Sequence, residues 1–137
     1  MVDTDDIRLS GEYFEALVTV FHNLIANAVK HSGLGRKTRV QVTCRVEPGL
    51  LSLRVENDLG EVSDDELEQM WTIANEFALK DHTKGTFREG GTGFKKIRRI
   101  CLRDFGYCRI NIPRPGRRKR FVVEVTLKHD SFIYRSL

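Results

Sequence analysis

The order of two kinds of apolar periodicity most strongly constrains how this 137-residue chain can fold. Apolar residues recur every three or four positions in some segments, as in helices that bury one face. In others, apolar and polar residues alternate, as in strands with one buried face. Helices are predicted from Tyr13 to His31, from Ser63 to about Leu79 and from after Gly93 to Phe105, and strands at Arg39 to Val46, Leu51 to Asn57, Tyr107 to Ile112 and Arg120 to Lys128.

Turn and capping residues support this order of segments. Glu47-Pro48-Gly49 separates the first two strands, as in a tight hairpin. Ser63 and Glu66 form a capping box ahead of the second helix, and Gly106 follows the third as a glycine C-cap. Strand pairs interrupted by helices predict an α+β sandwich with one sheet covered on one face by three helices.

Composition and cysteine content indicate the class of protein. Apolar residues make up 40% of the chain and charged residues 31%, an ordinary balance for one globular domain. The N-terminus is acidic and polar, unlike a secretory signal, and the apolar runs are too short to cross a bilayer. We therefore expect a cytoplasmic protein in which Cys44, Cys101 and Cys108 are buried reduced thiols.

The basic residues crowd into two regions, Lys95 to Arg99 and Arg114 to Arg120. The net charge of +4 suits nucleic acid or a triphosphate. The second region contains Pro115 and Gly116, which are turn residues, so a solvated hairpin tip explains it as well. No aromatic residues interleave with it, which disfavours nucleic acid as a partner.

The first helix carries a polar stripe beside its apolar face. Asn23, Asn27, Lys30 and His31 project from one side of the helix at this spacing. Asparagine is a poor helix former, so two of them one turn apart require a reason. An amide oxygen can ligate Mg²⁺ while a lysine meets the same phosphates, although a solvated helix face is the ordinary alternative.

A glycine-rich segment precedes the third helix. The stretch from Asp81 to Gly93 has no sustained period and is predicted to be a mobile loop. Gly90, Gly91 and Gly93 would let the backbone and the start of the helix approach an anion. A flexible surface loop without a ligand is the alternative.

Together these segments resemble the ATP-binding domain of the GHKL superfamily, named for gyrase, the heat-shock chaperone, histidine kinases and MutL. FHNLIANAVKHSG, residues 21–33, is similar to the N box of sensor kinases, and LRVENDLG, residues 53–60, lies where the D-x-G-x-G box is found. HTKGTFREGGTGF, residues 82–94, is similar to the kinase glycine loop. The resemblance implies the Bergerat-type fold, with a mixed, mainly antiparallel sheet.

The resemblance also implies ATP and Mg²⁺ as cofactors, with Asn27 as the metal ligand. Lys30 and Lys84 would contact phosphates. Asn23 and Lys30 would be the catalytic residues. The nucleotide-binding residues implied by the three motifs are Asn23, Asn27, Lys30, His31, Asn57, Asp58, Gly60, Thr83, Lys84, Gly90, Gly91, Thr92, Gly93 and Phe94.

Three positions depart from the family pattern. The adenine-reading residue is an aspartate in the family, but strand alternation puts Asn57 in the inward position while Asp58 fits the motif as far as Gly60. Both stay candidates. Glu89 replaces the first glycine of the glycine box. Members that hydrolyse ATP place a glutamate four residues before the metal-binding asparagine, where this chain has Asn23.

A sensor kinase also needs a helical hairpin carrying a phosphoacceptor histidine ahead of this domain. We therefore expect residues 1–137 to be one histidine-kinase-like ATP-binding domain, a catalytic or regulatory module of a larger signalling protein that transfers phosphate to a protein partner. The alternatives are a stand-alone serine kinase of the anti-sigma-factor type, a nucleotide-binding switch without transferase activity, and, least favoured, a nucleic-acid-binding domain.

Overall fold

In the part of the chain that the structure describes, three α-helices form one layer. The computed structural model describes residues 7–9, 11–47, 49–79, 92–117, 119–128 and 133–135. The helices are α1, Phe14–His31, α2, Asp64–Leu79, and α3, Thr92–Phe105. Short 3₁₀ turns at Gly11–Tyr13 and Gly35–Lys37 flank α1. The predicted helix bounds are confirmed to within about two residues.

The same described ranges contain six strands: β1, Ile7–Leu9, β2, Val40–Glu47, β3, Leu50–Asp58, β4, Arg109–Asn111, β5, Arg120–Lys128, and β6, Ile133–Arg135. Four of them form one sheet in the order β2-β3-β5-β4. β1 and β6 pair separately and were not predicted, because three-residue strands carry too little alternation to recognise. Every pairing among the described strands is antiparallel, so the parallel part of a mixed sheet is not seen there.

Local hydrogen bonds end the elements where the sequence predicted. The Oγ of Ser63 accepts the backbone N–H of Glu66 at 3.1 Å, which caps the start of α2. Gly106, at φ +70°, donates its N–H to the carbonyl of Leu102 at 3.2 Å and closes α3. Gly49, at φ +78°, supplies the turn between β2 and β3, since this conformation costs other residues more.

One apolar core joins the helices to one face of the sheet. Alternate residues of β3, namely Leu51, Leu53 and Val55, are buried on that face. In the strand register Leu53 lies opposite Val125 of β5, which is fully buried as well. α1 packs on α3, β3 and β2, while α2 packs on β4 and α3 on β5. This two-layer arrangement confirms the predicted α+β sandwich.

The cysteines follow this layering. All three are free thiols, with Cys101 buried in α3 and Cys108 half-buried. The prediction that Cys44 is buried is wrong, because it lies on β2, the edge strand that the helices leave largely exposed. None of the helices in the described ranges combines the length and apolar character that a bilayer crossing demands.

Candidate functional site

A cavity of about 260 Å³ lies between the helix layer and the sheet. Most of its wall is apolar, and three polar side chains from α1 and β3 also reach it. Its lining residues are Leu24, Asn27, Ala28, His31, Val55, Asn57, Leu59, Met70, Ile73, Ala74, Phe94, Phe121 and Val123. An apolar body with a few convergent polar groups is the usual form of a small-molecule site.

Asn27 stands where α1 meets the start of α3. Its Nδ2 is the one buried side-chain polar atom of the described residues that has no hydrogen-bond partner. A Cβ atom at Gly93 would lie 2.5 Å from this nitrogen and 3.1 Å from Oδ1. A side chain at position 93 would therefore have to displace the amide. Burying an unpaired N–H costs about 1–3 kcal/mol. The arrangement is therefore suited to a ligand that pairs with the amide.

Asn57 supplies the polar group on the sheet side of the cavity. The residue is 4% exposed, in the inward position that strand alternation predicted. Its Nδ2 donates to the backbone carbonyl of Asp58 at 2.9 Å. This bond fixes the amide, and its Oδ1 remains the atom that can accept a hydrogen bond from a ligand.

Asp58 faces the other side of the sheet. Its Oδ1 lies 3.4 Å from Nε of Arg120, the residue opposite it in the strand register. A second carboxylate, that of Glu56, lies 3.8 Å from Nη1 of the same arginine. Asp58 is absent from the cavity lining, so of the two candidate base-reading residues only Asn57 has access to the cavity.

His31 is the third polar lining residue, at the last turn of α1. Desolvation by partial burial, together with the charge of neighbouring Lys30, lowers the pKa of His31 below its ordinary value. At neutral pH the imidazole is therefore uncharged and can donate or accept a hydrogen bond.

The remaining predicted site residues lie in the cavity wall, elsewhere in the described structure, or outside the described residues. Phe94 lines the cavity, whereas Asn23 and Lys30 do not, and the Nδ2 of Asn23 donates instead to the carbonyl of Thr19 at 2.8 Å. Gly60 packs on the chain after α1, where its N–H donates to the carbonyl of Ser32 at 2.7 Å. Thr92 begins α3. Thr83, Lys84, Gly90 and Gly91, and most of the predicted loop, lie outside the described residues.

Most of the cavity wall consists of residues that the sequence indicated only as core. Met70, Ile73 and Ala74 belong to the apolar stripe of α2, and Val55 and Val123 to the buried rows of their strands. Periodicity marks a side chain as inward-facing but does not separate a packed interior from a lined cavity. Ile73, for example, is an apolar residue of the cavity lining that is 50% exposed. Its exposure is known only from the structure.

The site is thus a cavity between an antiparallel sheet and a layer of three helices, with an asparagine of the first helix in its wall. The chain belongs to the family described as histidine kinase-, DNA gyrase B-, and HSP90-like ATPases, whose model matches residues 13–129. This confirms the superfamily that the motifs indicated. No curated protein was found to match the chain.

Solved structures of histidine kinases share the fold. The nucleotide-free catalytic domain of histidine kinase ThkA superposes with a TM-score of 0.54 at 17% identity, over 83% of this chain and 66% of that one. The Acinetobacter baumannii histidine kinase AdeS gives 0.52 at 14% identity, over 85% of this chain and 47% of that one. The chain thus spans less than two thirds of either protein's structure.

Proposed function

We propose that this chain is an ATP- and Mg²⁺-binding domain of histidine-kinase type, which delivers a γ-phosphate to a protein partner and hydrolyses ATP slowly by itself. Membership of the ATPase family supports the nucleotide, and the histidine-kinase structures support the type of domain. Transfer to a partner rests on the resemblance of residues 21–33 to the sensor-kinase N box.

The contact between Asn27 and Gly93 is the observation that carries the proposal. The amide nitrogen is buried and unpaired, and the amide lies between the backbone of α1 and the first turn of α3. A phosphate oxygen would satisfy the N–H groups, and Oδ1 is the kind of neutral oxygen ligand that Mg²⁺ accepts. The start of α3 also presents backbone N–H groups and positive partial charge to an anion. These groups fit a metal-bound triphosphate.

The rest of the cavity fits a purine. Apolar side chains from α2, β3 and β5 would enclose the faces of a flat ring, and the Oδ1 of Asn57 could accept a hydrogen bond from an exocyclic amino group. Since the Asn57 nitrogen is already bound to a backbone carbonyl, the side chain does not have to reorient to do so. This arrangement favours adenine, which has an amino group at that edge.

The protein's own residues would bind and orient the nucleotide. Asn57 and the apolar wall would hold the base, while Asn27 and the start of α3 would hold the phosphate end with the metal. Mg²⁺ would neutralise charge on the phosphates during transfer. No carboxylate of the described residues lines the cavity, so none lies there to take a proton from an attacking water. A hydroxyl or imidazole from a partner would then be the nucleophile.

Replacement of Asn27 by Ala tests the proposal. ATP affinity measured by calorimetry should fall at least about tenfold in Mg²⁺ and much less in EDTA, because the variant loses a metal ligand. Thr19→Ala is a matched control on the same helix, since it removes only the hydrogen bond that the Thr19 hydroxyl donates to the carbonyl of Glu15. Equal losses in both buffers would contradict the metal role, and unchanged affinity would contradict the site.

A non-transferring switch is the second candidate, and the position of Asn23 supports it. This residue stands where hydrolysing relatives have a glutamate, and its amide bonds to Thr19 and not to the cavity. Incubation with γ-labelled ATP and a histidine-containing or serine-containing partner domain distinguishes the two. Labelled partner indicates a kinase, and tight ATP binding without label indicates the switch.

A further inference from the structure

α1 has a second apolar stripe, on the side of the helix away from Asn27. Phe14 is 66% exposed, Val18 48%, Ile25 38% and Val29 37%, and Phe21 between them is half-buried. Their spacing of four, three, four and four residues is that of a helix that packs along another helix. The core-facing residues of α1, such as Leu17 and Leu24, lie on a separate stripe. The helix is therefore apolar on two sides, and the described residues cover only one of them.

The edge strand β2 extends this uncovered surface. In the strand register Val42 lies opposite Val55 and Cys44 opposite Leu53, so both point to the helix side of the sheet. Val42 is nevertheless 41% exposed, and Cys44 is exposed too. Within the described residues, no strand pairs with the outer edge of β2. Because α1 packs on β2, we treat the outer stripe of α1 and this row of β2 as one apolar surface, which we call the α1/β2 groove.

The α1 stripe is self-complementary. In an antiparallel pair of α1 helices centred between Phe21 and His22, Phe14 would lie against Val29 of the second copy, and Val18 against Ile25. Each contact would occur twice, as a twofold interface requires. Over the sixteen residues from Phe14 to Val29, the seam would be about 22 Å long.

Charges at the two ends of the groove have opposite sign. Glu12 and Glu15 lie at the start of α1, where the exposed Glu47 ends β2. Arg36, Lys37 and Arg39, all exposed, lie at the other end, between α1 and β2. Antiparallel association would bring the acidic end of each copy to the basic end of the other.

The sheet allows the same twofold axis. If β2 paired with its copy, the two sheets would become continuous, and α1 packs on both β2 and β3. With strands about 4.8 Å apart, two helices over the β2–β3 boundaries would lie about 10 Å apart. That distance is the ordinary one for packed helices. We propose that the α1/β2 groove is a homodimer interface, filled by α1 and β2 of a second copy.

Sedimentation of the full chain between about 1 and 200 μM tests this inference. We expect a monomer–dimer equilibrium, and Val18→Glu should raise the dimer dissociation constant at least about tenfold by burying a charge in the seam. Leu102→Glu is the matched control, because Leu102 is an equally exposed apolar residue on α3, outside the groove. Unchanged circular dichroism would verify folding of both variants.

A monomer throughout that range would overturn the inference and assign the groove to a different chain. Equal effects of Val18→Glu and Leu102→Glu would overturn it as well. Nucleotide affinity provides an independent readout: Val18→Glu should retain it, since the stripe is on the opposite side of α1 from Asn27. Loss of dimer with normal ATP binding therefore tests this inference apart from the proposed function.

Cys44 offers a second measurement on the wild-type chain. Maleimide should modify Cys44 more slowly as the protein becomes dimeric, because the second copy would cover this exposed thiol. Val18→Glu should keep the faster rate at every concentration, whereas Leu102→Glu should behave as the wild type. Charge reversal is a further check: Glu15→Lys should weaken the dimer and added Lys37→Glu should restore part of it. A rate of Cys44 modification that does not depend on protein concentration, or a double variant no better than Glu15→Lys, would count against the interface.

Discussion

Gly93 lies against the amide of Asn27 so closely that a Cβ atom on it would be 2.5 Å from Nδ2. Gly93→Ala should therefore displace the amide and lower ATP affinity in Mg²⁺, at a cost of about 1–3 kcal/mol, as for other overpacked sites. Gly60→Ala is the control, since its Cβ would lie 3.5 Å from the nearest atom, an ordinary contact. Calorimetric titration measures both, and equal affinities for the two variants would contradict this role of Gly93.

Asn57 and Asp58 are neighbours on β3 that face opposite sides of the sheet. Asn57→Ala should weaken ATP binding by about 1–3 kcal/mol through loss of a buried hydrogen bond to the base. Asp58→Ala should have a smaller effect, because it breaks only the partly exposed pair with Arg120. Fluorescent ATP-analogue displacement compares the two variants. A larger loss for Asp58→Ala would assign base recognition to Asp58.

Trp71 links α2, which forms one wall of the cavity, to the sheet. Its Nε1 donates to the carbonyl of Ile112 at 2.8 Å, and the guanidinium of Arg114 lies 4.2 Å from its ring. Trp71→Phe should lower the free energy of unfolding by about 1–3 kcal/mol, because the Ile112 carbonyl loses its partner. Urea unfolding measures this loss. Circular dichroism is used to follow it, because Trp71 is the only tryptophan and its replacement removes the tryptophan fluorescence signal.

Arg114→Ala is the matched variant for the Trp71 contact. It removes the cation–π contact and an exposed ion pair with Glu68 but leaves the indole hydrogen bond intact. The expected loss is about 1 kcal/mol or less. If Arg114→Ala lowered the free energy of unfolding as much as Trp71→Phe, the contacts of Arg114, and not the indole hydrogen bond, would account for the stabilisation.

The purified domain should turn over ATP far more slowly than about one per second, a rate at the low end of ordinary enzymes. In the proposed N-box alignment Asn23 stands where relatives that hydrolyse ATP have a glutamate, and its amide, which bonds to the Thr19 carbonyl, cannot take a proton near neutral pH. Phosphate release is the measurement, with Asn27→Ala to exclude a contaminating ATPase. Turnover of about one per second that Asn27→Ala abolishes would show that another group activates water.

Sequence reasoning predicted the fold because periodicity and capping residues agree along the chain. Ser63 and Gly106 end their helices as predicted, and alternation along β3 placed Asn57 inward. Which residues of the polar stripe of α1 reach the cavity was predicted less well. Asn27 and His31 reach the cavity, whereas Asn23 and Lys30 do not, because side chains on one half of a helix can still point to either side of a ligand site.

The edges of the sheet were predicted least well. Cys44 has the same alternating neighbours as a buried strand residue, and its exposure follows from a strand order that local sequence does not encode. The pairing of β1 with β6 joins segments at opposite ends of the chain, so no short-range pattern could indicate it. The basic hairpin also differs from a free solvated tip: Arg114 and Lys119 contact the carboxylates of Glu68 and Asp64 on α2.

The cavity shares its walls with the apolar core. Leu24, Val55, Phe94 and Val123 belong to both, so the same side chains that hold the helices on the sheet would also surround a base. Ligand occupancy and folding are consequently one linked equilibrium: at a hundred times its dissociation constant, a nucleotide would add about 2.7 kcal/mol to the stability of the domain. A cell that depletes its nucleotide would thereby also shorten the lifetime of this protein.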